Sequence, residues 1–379
     1  MHMNFLKRCW AEIDLDALDF NLNSIKAQCP NMEPIAVVKA NAYGHSDVIC
    51  TKEYYRLGIR RFAVSNFREA ERVREIIGDN ECFLMVFGYI PEDNFEDILR
   101  LNLTVTAGSV EFAERLDGFG AERGARIPVN IALDTGMSRV GVRTAEEISR
   151  IAALKNIEIT GVYSHFSVGD MTDSNNMEFT QRQYEKISRL AKNMNVPIHF
   201  HNSGGIAFHA DMQADWMRPG LILYGLSPNT AVGNPVPLKQ VMTLKSVIDQ
   251  LKVIPKGTDI GYGRTYITDS EQVIALVPAG YADGYSRLLS NKGFAAVNGV
   301  LCPIRGRVCM DQMMVDVTGA NARIGDEVKL YSGDFKETSL DHIAGMIGTI
   351  SNEVICNVSS RVPRVAVRKG EIIEVINER

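Results

Sequence analysis

The chain has 379 residues, 45% of them hydrophobic, and a formal net charge of −5. That size exceeds one small core and sets two domains as the starting expectation. The mild acidity argues against nucleic acid or an anionic membrane surface as partner, and no apolar run approaches the roughly 20 residues that span a bilayer.

Met1-His2-Met3 reads as a cloning remnant, and no signal-peptide pattern follows it. The seven cysteines (9, 29, 50, 82, 302, 309 and 356) are odd in number and contain no CxxC pair. A reduced, cytoplasmic setting is expected, with the cytoplasmic domain of a membrane-anchored parent left open. The histidines do not fall at zinc-ligand spacing near these cysteines, so no metal site is expected.

CWAEIDLDALDFNLNSIKAQ (9–28) predicts a strand and then a helix. Next come eight short apolar runs: IAVVKA (35–40), RFAVSN (61–66), CFLMVFG (82–88), LTVTAG (103–108), IPVNIALD (127–134), ITGVYSHF (159–166), IHFHNS (198–203) and LILYG (221–225). Amphipathic stretches at 47–58, 66–78, 144–155 and 176–194 lie between them. Strands apolar on both faces, alternating with helices, predict a parallel sheet, and eight such units predict a (β/α)8 barrel. A doubly wound sheet is the alternative, but it would carry a glycine-rich loop after its first strand, and KANAYGH is not one.

After Pro235 and Pro237 the pattern changes to strands with short turns. Asn298-Gly299 between apolar runs is a hairpin signal. The expected division is a barrel over 11–235 and an all-β domain over 236–379 that takes in the N-terminal strand, 1–10.

A barrel gathers its active site at the C-terminal ends of its strands. That rule brings together Lys39, Asp134 with its TGMSR loop, His165, Asn202-Ser203, and Arg218 with Gly220. Each has a plain alternative: a snorkelling lysine, a core histidine, a helix capped by Ser203, an ordinary Pro-Gly loop. Ser203 and Gly220 can also present backbone N–H groups to a phosphate. A phosphate nest, a lysine and an arginine at one mouth match pyridoxal 5′-phosphate (PLP) held as a Schiff base.

AVVKANAYGH, LDTGMSRVG (133–141), HFHNSGG (199–205), MRPGLILYG (217–225), GYGRTY (261–266), PAGYADGYSR (278–287), RVCMDQMMVDV (307–317) and RVPRV (361–365) resemble, in order, the signatures of alanine racemases. The resemblance implies a PLP-binding barrel, a C-terminal β domain and a homodimer. It implies that Lys39 carries PLP and is one base, and that Tyr262 of the partner subunit is the other. Tyr43, Ser203, Gly220 and Leu221 would hold the phosphate, His165 would lie against the pyridine ring, and Arg218 would face its nitrogen. Arg139 would meet the substrate carboxylate with Met310 of the partner subunit, Asp311 would stand nearby, and Tyr281 would line the approach.

Two bases are needed because racemisation removes a Cα proton from one face and returns one to the other. Lysine and tyrosine both start near pKa 10, and cationic neighbours such as Arg218, acting with His165, favour tyrosinate. A guanidinium keeps its proton, so the pyridine nitrogen facing it stays unprotonated.

Two positions depart from the family pattern. Ala132 stands where relatives often have a carbamylated lysine that steadies the arginine at 139. Asn352 stands where they have a tyrosine over the phosphate, next to the substrate methyl group. Asparagine is smaller and brings a donor and an acceptor for a hydroxyl. On that ground the chain resembles the racemase part of the membrane-bound serine racemases of vancomycin resistance. The expected activity is serine and alanine racemisation, with D-serine going to peptidoglycan precursors. The alternatives are a biosynthetic alanine racemase, a non-catalytic PLP carrier and, last, a decarboxylase on a similar barrel.

Overall fold

The computed structural model describes residues 5–377. Met1-His2-Met3 and the start of the strand expected over 1–10 lie outside the described residues.

The first strand, β1, is Cys9–Asp14, so it ends past residue 10. Ala11 and Ile13 have no exposed surface, which carries the strand beyond the expected limit. Asp14 then caps the helix Leu15–Gln28 by accepting from the backbone of Asp16 and Ala17.

Nine parallel strands follow: β2 (Glu33–Pro34), β3 (Ala36–Val37), β4 (Arg61–Val64), β5 (Phe83–Val86), β6 (Thr104–Ala107), β7 (Ile127–Ala132), β8 (Ile157–Tyr163), β9 (Ile198–His201) and β10 (Trp216–Met217). Their order is β2-β10-β9-β8-β7-β6-β5-β4-β3. The two end strands are one stretch of chain interrupted at Ile35, so the sheet nearly closes into a barrel. The Ile35 N–H donates to Met217 O at 2.8 Å and Val38 N–H to Ala63 O at 3.0 Å, bonding this stretch to both neighbours. Ile35, Val37, Ala63, Met85, Ala132 and Tyr163 form one interior cluster.

LILYG is not the eighth barrel strand. Leu221–Tyr224 is a buried 3-10 turn, and the strand is Trp216–Met217. Gly225, at φ +80°, ends the turn. A buried single turn shows the same continuous apolar run as a buried strand, which is why the two read alike.

The second sheet has ten strands. β1 lies inside it, antiparallel to Met242–Val247 and parallel to Arg364–Arg368. Asn298 and Gly299, at φ +51° and +77°, turn the hairpin between Phe294–Val297 and Val300–Arg305. A short helix, Ser351–Cys356, returns from this domain to the barrel mouth. Arg364 is buried and donates to Gly44 O at 3.0 Å, fastening the second domain to the turn after Lys39. No helix of the described residues is long and apolar enough to cross a membrane.

Candidate active site

The chain after β3 makes an unusual turn. Ala40, Asn41, Ala42 and Tyr43 have φ between +51° and +54°, and Gly44 has φ +80°. Left-handed backbone costs about 1–2 kcal/mol per non-glycine residue, so this run needs outside support. The Glu69 carboxylate supplies it, accepting from Ala40 N–H at 2.9 Å and Ser65 N–H at 2.7 Å. Asn41 Oδ1 accepts from Asp47 N–H at 2.8 Å. A β-carbon on Gly44 would sit 2.3 Å from Ile355 O, so glycine alone lets the Ser351–Cys356 helix pack here.

The turn swings Tyr43 over Tyr224, ring centres 5.1 Å apart, and towards Gly220. Lys39 remains half-buried at the rim of a cavity of about 650 Å³. Burial pushes its pKa down, helped by the positive charge of Arg139 and opposed by Glu69. The amine is therefore easier to obtain neutral, as a nucleophile or base must be.

Ser203 opens the helix Ser203–Phe208, but it is not the cap. Asn202 is, its Oδ1 accepting from Gly205 N–H at 3.0 Å. The same Asn202 presents Nδ2 to His165 Nε2 at 3.2 Å. Ser203 and Gly204 line the cavity beside Gly220 and Leu221, and the Ser203 hydroxyl accepts from Ile222 N–H at 3.4 Å.

Arg218 is 4% exposed. It donates to His199 Nδ1 at 2.8 Å, His199 O at 2.7 Å and Ser164 O at 2.6 Å. Burial lowers its pKa to about 10, so it stays charged at neutral pH. Burial and the Arg218 charge push His165 and His199 well below the usual imidazole range, and both are neutral.

Arg139 and Asn352 complete the cavity wall. Arg139 is exposed, and the nearby Asp134 carboxylate is already taken by Arg143 Nε at 2.7 Å and the amides of Gly136 and Ser138. Ala132 is buried in the interior cluster and offers Arg139 no partner.

The cavity thus gathers Lys39, Tyr43, Arg139, His165, Ser203, Arg218, Gly220, Leu221 and Asn352. It does not gather Tyr262, Tyr281, Met310 or Asp311. Tyr262 is 71% exposed, Met310 53% and Tyr281 41%. Tyr281 and Met310 share one surface, because Ala282 N–H donates to Met310 O at 3.0 Å. Arg361 ties Asp311 (2.9 Å) to the buried Asp283 (3.2 Å).

Sequence reasoning missed Tyr163, His199 and Asn130. Tyr163 lines the cavity, and its ring lies 5.3 Å from the Arg218 guanidinium. His199 and Asn130 stand behind Arg218. The available signal was a polar residue inside an otherwise apolar strand, since buried polar groups need partners.

The residues present fit PLP. The amine of Lys39 can take an aldehyde, and the Tyr43 hydroxyl, the Ser203 hydroxyl and the 203–204 amides can take a phosphate. The Tyr43–Gly220 contact leaves no room for a β-carbon at 220. Together with the barrel and the β domain, this places the chain among the PLP enzymes built on those two parts.

Comparison with known proteins agrees. The N-terminal domain model of alanine racemase matches residues 13–228 and the C-terminal domain model matches 241–366. The chain is 38% identical to alanine racemase 1 of Clostridium acetobutylicum, over 98% of each chain. It superposes on alanine racemase of Clostridium difficile 630 with TM-score 0.90 and 31% identity, covering 99% of this chain and 100% of that one. It also superposes on the Bartonella henselae enzyme with covalently bound pyridoxal phosphate, with TM-score 0.85 and 27% identity over 95% and 99% of the two chains. The chain belongs to the alanine racemase family and is a PLP-dependent isomerase.

Proposed function

We propose that this protein interconverts L- and D-alanine, supplying D-alanine for cell-wall synthesis, with each active site shared between two copies. The observation that carries the reading is the division of the expected site residues. Lys39 and the cofactor cradle face one cavity, while Tyr262, Met310 and Tyr281 are exposed outside it. A homodimer that lays the β domain (236–379 with the N-terminal strand) of one copy over the barrel (11–235) of the other joins the two sets.

PLP supplies the acidification of the substrate Cα–H. Lys39 would hold the cofactor covalently at rest and, once the substrate amine had displaced and freed its own amine, would exchange the proton on one face. Tyr262 of the partner subunit exchanges it on the other. Tyr43, Ser203, Gly220 and Leu221 bind phosphate, His165 supports the ring, and Arg218 faces the pyridine nitrogen. Arg139 and the Met310 amide of the partner subunit orient the carboxylate, with the partner's Asp311 beside it. Tyr281 of the partner subunit narrows the approach and limits water. The setting we assign is cytoplasmic.

One observation favours a second reading, in which serine is also a substrate and D-serine enters peptidoglycan precursors in vancomycin resistance. Asn352 lines the cavity and offers a substrate hydroxyl a partner. The relatives described above carry alanine in their names, so alanine leads. Racemisation of L-alanine and L-serine by the PLP-loaded enzyme, with Asn352→Tyr alongside, separates the readings. If Asn352→Tyr leaves the serine-to-alanine ratio of kcat/KM unchanged, the serine reading fails. No exchange of Cα hydrogen with solvent deuterium for alanine would sink the first.

A further inference from the structure

β7 and β8 fall out of step by one residue. Val129 pairs with Ile159, yet Asn130 pairs with Gly161, so Thr160 is an extra residue, a β-bulge. The bulge brings the Thr160 hydroxyl to Asn130: Nδ2 of Asn130 lies 3.0 Å from Oγ1, and Oγ1 lies 3.2 Å from Val129 O. A β-carbon on the next residue, Gly161, would sit 2.4 Å from Asn130 Oδ1, so glycine makes room for the amide. Asn130 and His199 have no exposed surface, and Asn130 Oδ1 is 2.7 Å from His199 Nε2.

The direction of this chain is forced from both ends. A guanidinium only donates, so His199 Nδ1, 2.8 Å from Arg218, accepts. The ring proton then sits on Nε2 and needs an acceptor, which Asn130 Oδ1 provides. The amide must therefore turn its NH2 to Thr160. The hydroxyl can accept there, because its own proton goes to Val129 O. With the amide reversed, Nδ1 would carry the proton and meet an Arg218 N–H head-on. Two buried donors face to face lose a hydrogen bond and its compensation for desolvation.

We infer that Thr160 and Asn130 are a positioning pair for Arg218, holding the His199 ring in the tautomer that Arg218 requires and through it the place of the guanidinium at the cavity. Neither residue lines the cavity. The inference rests on the reading that Arg218 faces the pyridine nitrogen of PLP.

The test uses protein labelled with 15N-histidine, with and without PLP. Long-range 1H–15N spectra report the tautomer of His199, identified by its loss in His199→Gln. The wild type should show the Nε2–H form alone. Thr160→Val leaves the Arg218 end intact, so the tautomer should hold while the His199 Nε2–H bond to Asn130 weakens and its 15N shift moves. PLP binding should weaken roughly five- to tenfold and the visible absorbance of the bound cofactor should shift, with little change in Tm. Thr160→Ser should restore all three. An Nδ1–H tautomer in the wild type overturns the inference, and that measurement needs no variant to fold. An unchanged His199 Nε2 shift in Thr160→Val overturns it too. If the Nε2 shift moves while PLP affinity and absorbance hold, the positioning of His199 stands and the Arg218–pyridine reading falls.

Discussion

The Tyr43 hydroxyl occupies the space that a β-carbon on Gly220 would need, since such a carbon would lie 2.6 Å from it. Gly220→Ala should push Tyr43 off the proposed phosphate site and weaken PLP retention about tenfold, the equivalent of one hydrogen bond to a charged group. Fluorescence titration of the apo protein measures this. Tyr43→Phe, which keeps the ring but drops the hydroxyl, should give a loss of the same order. Unchanged affinity in both variants would remove Tyr43 from the phosphate site.

Glu69 bonds the backbone of both Ala40 and Ser65. Glu69→Gln keeps the shape but leaves one amide group facing an N–H donor. Urea denaturation should show a loss of about 1–2 kcal/mol, while the Lys39 amine, freed of the carboxylate that opposes its lowered pKa, should be no less reactive towards aldehydes. A variant as stable as the wild type would mean the left-handed turn is held by other contacts.

Buried histidines set the acid limit. Burial, opposed by the bond to Tyr43 O, lowers His45 to about 3, and burial lowers His201 to about 4. The unfolded chain takes these protons near pH 6.5 and the folded chain does not. Stability is therefore complete above about pH 6.5 and falls as pH drops towards 3–4. His45→Gln can still donate to Tyr43 O but cannot titrate. Between about pH 7.5 and pH 5 it should lose less stability than the wild type in chemical denaturation. Equal losses would show that His45 takes a proton without unfolding.

Lys39→Ala and Tyr262→Phe should each be inactive. Denatured together and refolded, they should recover about a quarter of wild-type activity, because half the dimers are mixed and each mixed dimer carries one intact site. Circular dichroism should show Tyr262→Phe folded, as its ring is exposed. No recovery on mixing would place both bases in one chain or deny the dimer.

Most of the barrel was legible because its strands are buried on both faces and stand out as apolar runs. Trp216–Met217 was not, since two residues give no period to read, and LILYG drew the assignment instead. The lysine, arginine and phosphate-side residues were legible as polar groups at strand ends. Asn202 was placed at the mouth without its capping role, because only the three-dimensional turn shows which of two adjacent side chains reaches Gly205. His199 and Asn130 were hidden inside strands, where sequence shows composition but not which side chain bonds which. The separation of Tyr262 and Met310 from the cavity was not open to any reading of spacing. Within one chain both are exposed and outside the cavity lining.

The turn at 40–43 suits the opposite chirality. Four consecutive residues hold the backbone that is unfavourable for L-amino acids and favourable for their mirror images. Ala40 and Ala42 therefore sit in the natural basin of D-alanine. A semisynthetic chain carrying D-alanine at those two positions should melt higher than the natural one. A protein that we read as inverting alanine for other polymers would itself be steadied by the inverted residue, at the very turn that presents its catalytic lysine.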